Sequence, residues 1–145
     1  MASAEELARD FWRALCRRDV DRAGALLAEN TRLHLAGMPP ASGAAALETL
    51  RVDSGSESSL QTVARYRNMV ITERIGRIPG ERSVRRHHIL SVACVDAGRI
   101  TSWQDLVYPL GAVSALRATP RAEAQNLTPA PARTVRRGRR ARSAS

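Results

Sequence analysis

From Leu60 onward the apolar residues of this chain recur at nearly every second position, in segments near 60–67, 69–77, 83–95 and 99–108. A period of two puts alternate side chains on opposite faces of an extended strand, so this repeat constrains the fold more than any other feature of the sequence. The segments are separated by Arg77-Ile78-Pro79-Gly80-Glu81 and by Ala97-Gly98. Both have turn chemistry, so neighbouring strands run antiparallel.

Before the strands the period is helical. Ser3 and Glu6 have the spacing of a capping box, and Leu7, Phe11 and Leu15 follow at every fourth position with Trp12 beside them. This predicts an amphipathic helix ending near Arg17-Arg18. Asp19 can cap a second, shorter helix with Val20, Ala23, Leu26 and Leu27 as its buried stripe and Asn30 as its stop. Thr31 to Leu35 reads as a strand ended by Met38-Pro39-Pro40, Ala44 to Leu50 as a short helix, and Asp53 to Ser59 as a Ser-rich loop. Helices first and a run of strands afterwards gives an α+β domain over residues 1–110, with a curved, mostly antiparallel sheet wrapped around the N-terminal helices.

Charge separates the rest. Residues 1–110 carry 15 Arg against 13 acidic residues, a net +2, whereas residues 111–145 carry 8 Arg against one Glu, a net +7. The later segment is rich in Ala, Pro and Arg and is expected to be a disordered basic tail, because it offers too little apolar surface to offset the entropy of ordering. It has no interleaved aromatics to stack on bases, so specific nucleic-acid recognition is not expected and the charge supports only salt-sensitive attraction. No apolar run approaches the ~20 residues of a membrane span, and the N-terminus lacks the layout of a signal peptide. With Cys16 and Cys94 as the two cysteines, the expectation is a reduced, cytoplasmic protein.

Two strand residues carry the chemistry. Trp103 and Asp105 stand two apart and so share a face, among the apolar neighbours Ile100, Leu106 and Val107. A carboxylate there needs a partner, and Arg74 on another strand can reach across the sheet to it. His87, sharing a face with Ile89, Ser91 and Ala93, is the other polar intrusion on a buried strand. A histidine so placed can exchange a proton near neutral pH, or simply be hydrogen-bonded to a neighbour. No second histidine or carboxylate stands at metal-ligand spacing, so neither a metal nor another cofactor is expected.

Thr72-Glu73-Arg74-Ile75 together with Gly98-Arg99-Ile100-Thr101-Ser102-Trp103-Gln104-Asp105 resembles the limonene-1,2-epoxide hydrolase family, part of the nuclear-transport-factor-like and polyketide-cyclase-like superfamily of cone-shaped α+β proteins. The resemblance covers roughly residues 5–110. It implies a pocket in which one aspartate activates a water, a second aspartate protonates the opening epoxide, and an arginine holds both. Asp105 falls on the water-activating position, Arg74 on the bridging arginine and Trp103 on a pocket-lining aromatic. His87 and Ile89 fall on the pocket wall, where His87 would partly replace a missing acid. The family's acid stands two residues after the arginine, which here is Gly76; its tyrosine and asparagine water ligands correspond to Leu33 and Leu35. The resemblance therefore implies a small apolar molecule in the pocket, admits a homodimer, and leaves three functions open. The leading one is an epoxide-opening enzyme acting through Asp105, Arg74 and His87; the alternatives are a polyketide-cyclase-like isomerase or cyclase and a noncatalytic module that binds a hydrophobic ligand.

Overall fold

The computed structural model describes residues 1–82 and 85–108. The expected basic tail lies outside them, as does the start of the strand placed at 83–95. Helix α1 spans Ala4–Cys16 and opens on the full capping box, with Ser3 N–H donating to Glu6 Oε2 at 2.7 Å and Glu6 N–H donating to Ser3 Oγ at 3.2 Å. Helix α2 (Val20–Ala25) is capped by the Asp19 side chain. It ends earlier than its apolar stripe suggests, since Leu27 already belongs to strand β1, Leu27–His34. The sheet takes these residues because Ile100 N–H donates to Leu26 O at 2.9 Å, which binds the backbone into a ladder that a further helical turn would forgo.

Two segments are 3₁₀ helices. One is Ala44–Thr49; the other is Ser54–Ser59, where the sequence predicts only a loop. Asp53 makes the difference, accepting Gly55 N–H on its side chain at 3.1 Å and Ser56 N–H on its carbonyl at 3.0 Å. The remaining strands are β2 (Ala41–Ser42), β3 (Gln61–Tyr66), β4 (Met69–Gly76), β5 (His87–Asp96) and β6 (Arg99–Tyr108).

They form one sheet in the order β2-β1-β6-β5-β4-β3, in which only β1 and β6 run parallel. The inner face curves over α1. Phe11 and Trp12 of the helix meet Trp103 of β6, with ring centroids 5.1 Å and 6.2 Å apart, and Leu33, Val70, Ala93 and Ile100 belong to the same buried core. Each aromatic pair adds about 0.5–1.5 kcal/mol to its area burial. At one rim the chain turns through Gly37 at φ 77, and a Cβ there would come within 2.5 Å of Ile78. Only glycine allows the two rim turns to close this tightly. Among the described residues no helix is long and apolar enough to cross a membrane.

Candidate functional site

Strand register decides which side chains meet inside the cone. Thr72 of β4, Ser91 of β5 and Asp105 of β6 stand in one inward row, and Arg74 is in the next row beside Ile89. From there the guanidinium reaches diagonally: Arg74 Nη2 lies 2.6 Å from Asp105 Oδ2 and Nη1 lies 3.3 Å from Oδ1, with the two side chains 3% and 0% exposed. A buried carboxylate is stable as an anion only if its lone pairs are met, and these are met fully. Oδ1 also accepts from Ser91 Oγ at 2.7 Å and Trp103 Nε1 at 2.9 Å, and Oδ2 from the Ala36 backbone N–H at 2.8 Å. Five donors converge on a group with about four lone-pair positions. On the other side Arg74 Cζ sits 3.8 Å above the Trp12 ring, a cation–π contact, and Nη1 donates to Ser91 Oγ at 2.5 Å.

Little space remains around the pair. The cavity lined by Arg74, Trp12, Leu35, Ala36, Gly76 and Ile89 has a free volume of about 10 Å³, whereas small-molecule pockets run to roughly 300–1,000 Å³. At most one water fits. Leu35 and Ile89 line this cavity beside the pair. Leu33 and Trp103 are packed in the core, 1% exposed each. His87 is on the inner face but four residues from Ser91, about 13 Å along the strand. Its Nε2 is 3.1 Å from Glu81 Oε2, so the structure joins it to the rim and not to Asp105.

The space beside Gly76 is taken. A Cβ on Gly76 would stand 3.1 Å from Ser56 Cβ and 3.5 Å from Asp53 Oδ2. The loop therefore brings the Asp53 carboxylate beside Gly76, held there by Arg77 N–H donating to Asp53 Oδ2 at 3.0 Å. Cys16 lies behind it, its Sγ 3.9 Å from Asp53 O. Burial, aided by Glu57, pushes that thiol up to about 11 against the opposing pull of Ser56 and Arg74. Sequence reasoning missed Asp53, Ser56, Trp12 and Ala36. Asp53-Ser54-Gly55 carries a turn signal that predicts the cap, but nothing in it predicts contact with β4. Among the described residues no group of His, Cys, Asp and Glu could hold a metal.

No family model matches the chain, and no curated protein matches it either. Solved structures do. A protein from Sphaerobacter thermophilus superposes with a TM-score of 0.58 at 20% identity, covering 74% of this chain and 98% of that one. An LEH-like epoxide hydrolase from M. tuberculosis gives 0.56 at 23% identity over 79% and 95% of the two chains. A proposed polyketide cyclase from Pseudomonas putida gives 0.56 at 15% identity over 76% and 94%. At these identities the likeness concerns the fold. The chain has the cone-shaped α+β fold of NTF2-like proteins, the architecture its two strand motifs imply.

Proposed function

We propose that this protein is a noncatalytic small-molecule-binding module in which the Arg74–Asp105 pair is a structural element. The observation that carries this reading is the saturation of Asp105: five donors occupy its two oxygens. To act as a base toward water, or to shuttle a proton as an isomerase or cyclase requires, the carboxylate would have to give up one of them. Leu33 and Leu35, at the water-ligand positions of the resembled family, offer no compensating hydrogen bond. The volumes agree, since the larger spaces lie elsewhere, including a groove of about 490 Å³ on the outer face of the sheet.

The test is hydration of limonene-1,2-epoxide and cyclohexene oxide, followed as diol formation by the purified protein. The expected result is a rate equal to the buffer rate, unchanged in Asp105→Asn. Hydration by the wild type that disappears in a folded Asp105→Asn variant overturns the reading.

One observation favours an alternative, an enzyme that opens an epoxide with Asp105 as base and Arg74 between two carboxylates. It is the placement of the Asp53 carboxylate beside Gly76, in the small cavity that Arg74 also lines. In that case Asp53→Asn would lower hydration by about a hundred- to ten-thousand-fold, the usual worth of acid assistance, and His87→Ala would leave it unchanged.

A further inference from the structure

The outer face of the sheet sorts its side chains by strand. One row runs Ser42, Arg32, Ser102, Cys94, Met69 from β2 to β4, and the next runs His34, Gln104, Val92, Ile71 from β1 to β4. Hydrogen-bond donors occupy the β2, β1 and β6 side, and an apolar field covers β5 and β4. The groove of about 490 Å³ lies over the boundary, within the size range of small-molecule sites.

The charge of its lining is one-sided. Arg32 and His34 stand on it, no carboxylate does, and neither side chain makes a hydrogen bond or ion pair among the described residues. Of the carboxylates at outward-facing strand positions, Asp96 ends β5 two residues past Cys94, and Glu73 is on β4, three strands and about 14 Å from β1. Arg32 is flanked by the hydroxyls of Ser42 and Ser102, so its fork and two further donors face the same space.

We propose that this groove binds a small organic acid. Its carboxylate is held by Arg32 with His34, Ser102 and Gln104, and its apolar body lies along Val92 and Cys94 toward Ile71. The proposal rests on the reading of the protein as a binding module, and locates the binding on the face opposite the buried pair. Positive charge selects an anion, and the apolar field selects a carbon skeleton over a free inorganic ion.

The probe is naphthoate, with naphthalenemethanol as its neutral counterpart, titrated into the full chain and followed by amide NMR. Saturable shifts are expected at Arg32, His34, Val92, Ser102 and Gln104. Loss of a charge-assisted hydrogen bond predicts roughly tenfold weaker binding of the alcohol, and of naphthoate to Arg32→Gln. Arg32 is exposed, so the variant keeps the fold, which its free spectrum verifies. Any of four results overturns the proposal: no saturable shift up to millimolar ligand, shifts confined to the surroundings of Trp12 and Arg74, equal affinity for the alcohol, or equal affinity in Arg32→Gln. A groove closed by a second copy would give the first of these. Epoxide hydration is read separately on the same samples, so failure of the binding-module reading is distinguishable from failure of the site.

Discussion

Asp105 draws donors from three strands and a turn, so removing any one partner leaves charge or polarity stranded in the core. Replacing Arg74 by Met is expected to destabilise the fold by about 3–5 kcal/mol in urea unfolding, the usual cost of breaking a buried pair from one side. The double variant Arg74→Met, Asp105→Leu should recover much of this, less the part due to Ser91 and Trp103 losing their acceptor. A harmless single variant would refute the account of the pair. Gly76 is equally constrained, because Ser56 cannot retreat while its Oγ donates to Asp53 O at 2.6 Å. Gly76→Asp should therefore lower stability by about 1–3 kcal/mol through crowding. The new carboxylate would also stand beside that of Asp53, and Gly76→Asp with Asp53→Asn should unfold at a higher urea concentration than Gly76→Asp alone. Arg74 and Asp105 are legible in the sequence because alternation fixes their face and apolar neighbours demand a partner. Asp53 is not legible, since its contact with β4 depends on where a loop folds back. Trp12 reads as ordinary helix core until the guanidinium is found stacked on it.

At the scale of elements, local chemistry and sheet pairing compete, and the sequence shows the first more clearly than the second. The capping box of α1 is local and is read directly. Ser3→Ala should cost about 1 kcal/mol of stability. The cap also has a pH dependence. Hydrogen bonds from the Ser3 backbone and then its hydroxyl hold Glu6 below its ordinary value of 4.5. A lowered folded value means that this stabilisation is complete above 4.5 and is lost as the pH falls through the folded value. The stability difference between wild type and Glu6→Gln should accordingly shrink in acid; a constant difference would mean that the Glu6 charge takes no part. The boundary between α2 and β1 is the opposite case. Leu26 and Leu27 continue a helical stripe, yet pairing with Ile100 captures them for the sheet, and no local signal announces a partner more than seventy residues away.

For the whole molecule, the sheet divides the work: its inner face is spent on α1 and the buried pair, and its outer face is left with the groove. The closed interior fixes the behaviour of Cys16, whose folded value of about 11 lies above the ordinary 9.0. Stability from the buried thiol is complete below 9.0 and is lost as the pH rises toward 11, because the unfolded chain ionises first. Alkylation by iodoacetamide at mildly alkaline pH should therefore reach Cys94, which is half-buried, well before Cys16. Equal rates would mean that the core opens readily.

Net charge makes the last test, because residues 1–110 and residues 111–145 contribute so unequally. Deleting residues 121–145 removes seven Arg and one Glu, taking the formal charge from +9 to +3. Retention on immobilised nucleic acid at low salt should fall sharply, since such retention follows the number of phosphates neutralised. The core runs from Leu7 to Trp103, so the melting temperature should stay within about 2 °C, which for a domain of this size corresponds to less than 1 kcal/mol. Undiminished retention would place the attraction on the sheet and helices instead. Arg32, the residue of the outer groove with the fixed positive charge, would then be the first to replace.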